Sequence, residues 1–381
     1  MNTITTIGLD IAKNSFTVHC EDAQEHVVVK KDLKRKEVTS FFAKLSPTRC
    51  LVGIEACGSA HHWAREITKL GHDVRLIPAQ RVKAFLPRQK NDAADAKAIC
   101  AAVRRPDMRF VPVKSVEDQS SLMLHHVRGG LIAQRTQIMN MMRGHFAEVG
   151  IVVAQGPARV GELVAMVMAA SKSLEPEPVV AEEERQAAVN KESADADAAP
   201  PVVLPPAMVV AMQRLVSMLH SLEEEIAALD RAIAAAFKCN ERAKRLATIP
   251  GVGVLIAHYV ATLFPDASVF SGGREFAAYL GLVPRQNSTA GKARLGRISK
   301  MGNRDLRSLL YTGAVAVLWR LRDVKNTSAL ALWARKLLAT KRFGVVAVAL
   351  ANKMARTIWA VLARGGEYVP GFKPACALQA A

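Results

Sequence analysis

No pair among the six cysteines (Cys20, Cys50, Cys57, Cys100, Cys239 and Cys376) has CxxC spacing, and no Cys/His cluster matches a zinc site. That excludes a zinc-finger framework. Several of these cysteines stand in apolar runs, where the side chain acts as a small hydrophobe, so a reducing, cytoplasmic compartment is expected. The N-terminus, MNTITTIGLDIAKN, lacks the basic stretch and long apolar core of a signal peptide. The apolar run near Val345–Ala351 is too short to cross a bilayer, which argues against a membrane protein. Acids are also scarce. Lys and Arg number 52 against 34 Asp and Glu, a formal net charge of +18. Such an excess concentrates polyanions at the surface and suits a phosphate backbone. Half the residues are hydrophobic, enough for a sizeable core. At 381 residues, the chain should hold two domains.

The N-terminal third alternates strands and helices. TITTIGLD (3–10) reads as a buried strand ending in an acid, and SFTVHC (15–20) and HVVVK (26–30) as two more, giving an antiparallel meander. Residues 34–45 have the pattern of a charged amphipathic helix. RCLVGIE (49–55) is a further strand ending in an acid. A helix over 59–70, a strand over 73–78 and a helix from about Asn91 to Arg105 complete the unit. The order β-β-β-α-β-α-β suggests an α/β sheet with parallel additions.

The middle of the chain is helical from Ser115 to Gly150 and carries Arg128, Arg135 and Arg143. Residues 171–206 are rich in Pro, Ala and acid. Eight acids and two bases lie between Glu175 and Asp197, a net of −6, so the remainder carries +24; the stretch reads as a loosely ordered linker. A heptad follows: Met208, Met212, Leu215, Leu219, Leu222, Ile226, Leu229 and Ile233 alternate spacings of four and three. Such a seam would make a coiled coil, between protomers or with the Ser115–Gly150 helix, or pack within its own domain. IPGVGVLIAHYVAT (249–262) places two glycines before an apolar helix, like the turn of a helix-hairpin-helix element. The rest reads as helical over 274–281, 303–321, 327–341 and 344–363, without an internal repeat.

Four acids carry the chemistry. Asp10 and Glu55 end two strands that would lie side by side in a ribonuclease-H-like sheet. Asp92 and Asp95, in KNDAADAKAI, share one helix face in a first turn capped by Asn91. Singly, each is accounted for by a turn or a helix start. Together, in the order D…E…D-x-x-D, they match what two Mg²⁺ ions about 4 Å apart require to hold a scissile phosphate. A second cluster lies between Pro284 and Arg307: Arg285, Lys292, Arg294, Arg297, Lys300, Arg304 and Arg307, against the one acid Asp305. Gly291, Gly296 and Gly302 keep this stretch open, as a loop that contacts phosphates. Ser288 and Ser299 lie within it. No histidine stands near to activate either.

GLDIAKNSFTV, GIEACGSAHHWA and KNDAADAKAI resemble the three acidic motifs of the DEDD transposases of bacterial insertion sequences, the IS110 type. LATIPGVGVLIAHYVATL and AYLGLVPRQNSTAGKARLGRISKMGNRDLRSLLYTGA resemble the family's second domain, and PRQNS and GRISKMGN are most like its IS1111 branch. The linker at 171–206 is atypically long and acidic. The resemblance implies a RuvC-like catalytic domain over 1–112, a helical connector over 113–170, the linker over 171–206, a coiled-coil helix over 207–240 and a mostly helical transposase domain over 241–381. It implies DNA cutting and rejoining, with Asp10, Glu55, Asp92 and Asp95 on Mg²⁺ and Ser288 as a nucleophile forming a covalent link to DNA. Thr289 leaves that position ambiguous, since the family has serine, a small residue and glycine where this chain has Ser288-Thr289-Ala290-Gly291. Ser299 is better suited to a phosphate contact or a helix cap. The resemblance further implies a structured noncoding guide RNA, a homo-oligomer (a dimer, higher order in synapsis) and a bacterial, nucleoid-associated location. Three rivals differ in class: a junction nuclease using water, a nucleic-acid scaffold with a degenerate site, and an actin-like ATPase. The last lacks a second glycine-rich phosphate motif in the N-terminal domain.

Overall fold

The computed structural model describes residues 3–45, 48–86, 91–172, 204–287, 294–321 and 327–370. These form two compact units. One comprises residues 1–122 and 236–381; the other comprises 123–235.

The N-terminal part of the first unit is a five-stranded mixed sheet. Its strands are β1 (Thr6–Ile11), β2 (Ser15–Glu21), β3 (Val27–Lys34), β4 (Leu51–Glu55) and β5 (Asp73–Ile77), in the order β3-β2-β1-β4-β5. β2 runs antiparallel to both neighbours, and β1, β4 and β5 run parallel. This order is consistent with a ribonuclease-H-like sheet. Helices α1 (Val38–Leu45) and α2 (Ala60–Lys69) cover one face, where Ile7, Leu9, Val52 and Ile54 meet Phe42, Trp63 and Ile67 in one core. After a short helix α3 (Ala79–Val82), helix α4 (Asp92–Val103) covers the other face.

One boundary differs from expectation. Residue 34 was expected to open a helix, but β3 runs on to Lys34, and the helix begins only at Val38 after a 3-10 turn. Pairing of Phe16 with Leu33 and of Ser15 with Lys34 outweighs the helical charge pattern, because Leu33 is buried in the sheet's core.

The second unit is helical. α5 (Val116–Glu148) reaches into it, followed by α6 (Val160–Lys172) and α7 (Pro206–Lys238). The α7 stripe is covered within the chain. Met212 and Leu219 of the heptad, with Val209 and Val216 beside them, pack against Ile138, Met142 and Phe146 of α5 and Leu163 and Val167 of α6. Further along, Arg128 forks onto both carboxylate oxygens of Asp230, at 2.6 and 3.3 Å. Most of the acidic linker, residues 173–203, lies outside the described residues.

The C-terminal part of the first unit holds α8 (Glu241–Ala247), α9 (Val254–Leu263), α10 (Gly273–Tyr279), a ribbon of β6 (Pro284–Gln286) and β7 (Leu295–Ile298), then α11 (Arg304–Leu321), α12 (Ala329–Leu338) and α13 (Phe343–Arg364). α13 is longer than its apolar run suggests, and by length and composition alone it could cross a membrane. Here it lays Val346, Leu350, Met354 and Ile358 into the helical core. Within the glycine turn before α9, Gly251 has φ +85°, and a β-carbon there would meet Val317, Met354 and the Gly313 carbonyl. Packing against α11 and α13 therefore accounts for this glycine, while Gly253 stays exposed at the start of α9.

Candidate metal centre and basic hairpin

Asp10 is the fifth residue of β1, half-buried where the strand leaves the sheet. The parallel register pairs Leu9 with Ile54, which sets Glu55 level with Asp10 on the neighbouring strand. Across the same face lies α4. Its start is fixed by Asn91, whose side-chain oxygen accepts from the Ala94 amide at 2.7 Å. Asp92 and Asp95 therefore fall in the first turn, where the helix dipole favours carboxylates.

α4 reaches this position because the sheet has no side chains in its way. A β-carbon on Gly8 would stand 2.0 Å from the Ala96 carbonyl oxygen, and one on Gly53 would stand 2.8 Å from the Val103 β-carbon. The helix thus rests on the backbone of β1 and β4. At its far end, Arg104 pairs with Glu21 of β2, a side chain buried beside His19, whose Nε2 is 2.7 Å from the same carboxylate. These glycines and this ion pair were not read from the sequence as parts of the site. A glycine inside each of two acid-ending strands (GLD and GIE) was the available signal, since strand glycines mark close backbone approach.

The result is a convergence of charge. One carboxylate oxygen from each of Asp10, Asp92 and Asp95 lies within 4.8 Å of the others. Glu55 stands outside that triplet but within electrostatic reach. Burial pushes the Asp10 carboxyl up to about 6, and the charges of Asp95, Asp92 and Glu55 push the same way, against a backbone hydrogen bond at Ile11. Burial also raises the Cys57 thiol, with Glu55 and Asp10 adding to it. Hard oxygen donors that repel one another when empty suit a divalent cation such as Mg²⁺.

In its described parts, residues 284–287 and 294–307, the basic stretch is not the open loop expected from its glycines. β6 and β7 pair antiparallel, Pro284 with Ile298 and Gln286 with Leu295, and the Asn287 amide donates to the Arg294 carbonyl beyond them. Short strands, exposed except at the half-buried Ile298 and without apolar alternation, hide this ribbon from sequence patterns. Arg285, Arg294 and Arg297 are exposed on it. Ser288, Thr289 and Lys292 lie outside the described residues.

Below the ribbon the chain is tightly braced. Lys300, exposed, holds a left-handed φ of 56°. The Ser299 amide donates to Val283 and the Lys300 amide to Gly281. Ser299 does not cap α11; the Asn303 side chain does, accepting from the Leu306 amide at 2.8 Å. Arg304 is exposed in the first turn, whereas Arg307 spends its guanidinium on the carbonyls of Leu280 and Met301 at 3.1 and 2.7 Å.

Carboxylates on β1, β4 and the first turn of a covering helix, on a sheet of this order, define a DEDD-type α/β domain. A DEDD transposase model of the IS110 type matches residues 7–151, and the model described as the transposase IS116/IS110/IS902 family matches residues 243–329. A probable family 20 transposase of Pseudomonas aeruginosa is 45% identical over 97% of this chain and 99% of its own length. The transposase of insertion sequence element IS1328 from Yersinia enterocolitica is 36% identical over 96% and 98%. That of IS1111A from Coxiella burnetii is 36% identical over 97% and 92%. The chain belongs to the IS116/IS110/IS902 family of transposases, as its acidic motifs and C-terminal segments suggested. Membership implies an enzyme that binds, cleaves and transfers DNA.

Proposed function

We propose that this transposase cuts and rejoins DNA at a composite site. Asp10, Glu55, Asp92 and Asp95 would hold two Mg²⁺ ions, and Ser288 would be the nucleophile. The observation that carries the reading is the gathering of Asp10, Asp92 and Asp95 on two elements held together at backbone contact. When bound, the metal supplies the Lewis acid that neutralises these carboxylates, polarises the scissile phosphate and eases loss of the attacking hydroxyl's proton. The carboxylates fix its position. The Ser288 oxygen would form a bond to phosphorus as one P–O bond of the DNA breaks; the serine gives up its proton, the displaced DNA oxygen takes one up and leaves as a hydroxyl, and the phosphodiester is conserved for rejoining by the reverse step. Arg285, Lys292, Arg294, Arg297, Ser299, Lys300 and Arg304 would hold the DNA backbone, while Arg307 braces the turn that leads into α11.

A structured noncoding RNA would choose donor and target by base pairing, which leaves the protein to read shape and charge. Acids and serine stand far apart in sequence, which suits a site shared between protomers of a homo-oligomer. The exposed glycine turn at Gly253 would offer a helix-hairpin-helix-like phosphate contact.

The test is to incubate the chain with Mg²⁺, its element's end DNA and the flanking noncoding RNA. A protein–DNA adduct should survive denaturation and disappear in Ser288→Ala. An adduct unaffected by that change would sink the serine assignment. Unchanged recombination by Asp10→Asn and Glu55→Gln would sink the metal site.

A further inference from the structure

β3 closes one edge of the five-stranded sheet, and its side chains alternate between the two faces. Leu33 joins the core beneath α1 and α2. Lys30, Asp32 and Lys34 turn the other way, towards the face that carries α4. The register fixes this. Lys30 pairs with His19, Asp32 with Thr17 and Lys34 with Ser15, and His19 and Thr17 pair in turn with Gly8 and Asp10. α4 rests on β1 and β4 and reaches β2, while Lys30, Asp32 and Lys34 stay exposed beyond it. Asp32, Thr17 and Asp10 therefore form one row across three strands, roughly 10 Å long, that ends at the carboxylate centre.

Four ammonium groups border this strip from three separate places. Lys30 and Lys34 flank Asp32 on β3, Lys13 stands in the turn between β1 and β2, and Lys97 lies on α4; all four are exposed. Among the described residues, none of the four is in an ion pair. Asp32 is the one acid between them, and one of its oxygens accepts the Thr17 hydroxyl at 2.7 Å. The buried His19 ring records the local charge: burial first, then Lys30, Lys97 and Arg104, hold its pKa down to about 4.

Lysines on an edge strand also keep sheets from pairing edge to edge. That task needs neither Lys13 nor Lys97. Cations lined up beside a carboxylate centre suit a polyanion whose charge repeats along its length. The strip has no exposed aromatic ring to receive an unpaired base, so it fits the backbone of a duplex better than a single strand.

We propose that the α4 side of β2 and β3 is a phosphate-binding strip for duplex DNA, with Lys13, Lys30, Lys34 and Lys97 holding the backbone that leads to the carboxylate centre. It lies on the N-terminal domain and shares no residue with the β6–β7 ribbon. Contacts of this kind set the register of the duplex rather than read its sequence. The proposal takes DNA as the partner from family membership and uses neither the metal nor the serine assignment.

The test uses the full chain in EDTA and reads fluorescence anisotropy with labelled duplex DNA, duplex RNA of equal length and an oligo-dT. Lys13→Gln, Lys30→Gln, Lys34→Gln and Lys97→Gln combined should weaken duplex DNA binding about tenfold or more and lower the salt slope by roughly 3–4. Lys30→Gln and Lys34→Gln alone should each lower the slope by about 1 at an unchanged melting temperature, and Lys30→Arg should keep the affinity. The control is Lys31→Gln with Lys44→Gln. Lys31 is exposed on the opposite face of β3 and Lys44 on α1, so this pair should leave the slope near that of the unmodified chain. An unchanged slope in the quadruple variant would overturn the proposal. So would a loss in the control pair as large per lysine as in the strip, which would make the effect one of net charge. An equal loss on oligo-dT would overturn the duplex assignment, and a larger loss on duplex RNA than on duplex DNA would overturn DNA as the partner. Binding is read without metal, so failure of the metal or serine assignment would not alter the result.

Discussion

A β-carbon on Gly8 would collide with the Ala96 carbonyl oxygen at 2.0 Å, so the backbones of β1 and α4 are in direct contact two residues before Asp10. This contact sets how closely Asp92 and Asp95 approach Asp10. Gly8→Ala must lift the helix, since the opposing atom is backbone and cannot rotate away. Overpacking of this kind costs about 1–3 kcal/mol. The expected outcome is a folded but less stable protein with strongly weakened Mg²⁺ binding by titration calorimetry. Unaltered Mg²⁺ affinity in Gly8→Ala would mean that the acids do not depend on the helix's height above the sheet.

The Asp10 carboxyl is raised from its ordinary 3.8 to about 6, first by burial and then by Asp95, Asp92 and Glu55. Between those values the folded chain keeps a proton that the unfolded chain has released. Stability of the metal-free protein should therefore fall as pH rises from about 4 to about 6, and stay lower above it. The proposed Mg²⁺ would take the place of that proton, so its stabilising effect should be larger at pH 7.5 than at pH 5. Thermal melts in EDTA and in Mg²⁺ would show this, with the pH-dependent part reduced in Asp10→Asn. Identical pH profiles for the wild-type chain and Asp10→Asn would count against the coupling.

Much of the N-terminal domain was legible because its elements repeat simple periods. Ile7, Leu9, Val52 and Ile54 alternate with the residues that face α4, and the Asn91 cap marks where that helix begins. What the residues could not state was distance. Nothing in KNDAADAKAI says that Ala96 touches Gly8, because that contact depends on a missing side chain 88 positions earlier. The C-terminal ribbon was illegible for another reason. Its strands pair locally and only Ile298 is as much as half-buried, so they leave no apolar pattern to read. Arg307 shows the same limit on a single residue: composition groups it with the bases proposed to bind phosphate, whereas its hydrogen bonds go to Leu280 and Met301.

That difference is testable, because Lys keeps the charge of Arg but not its fork. Arg307→Lys should lose at least one of the two carbonyl contacts and destabilise the fold by roughly 1–2 kcal/mol. If Arg307 is chiefly a brace, the salt slope of DNA binding should stay near that of the unmodified chain while the melting temperature drops. A preserved melting temperature together with weaker DNA binding would instead make it a phosphate contact.

Lys300 presents the opposite case. Its left-handed φ of 56° is disfavoured for a side chain with a β-carbon, and Gly302 beside it, at φ +70°, has relieved the same constraint by having none. A lysine kept in a strained turn points to a task for its ammonium group. Lys300→Asn separates strain from charge, since asparagine tolerates the left-handed region and carries no charge. The variant should melt at or slightly above the wild-type temperature and bind DNA more weakly, with a salt slope reduced by about 1. If affinity and slope are both unchanged, the ammonium makes no phosphate contact, and the strain at Lys300 serves only the turn that carries the chain from β7 into α11.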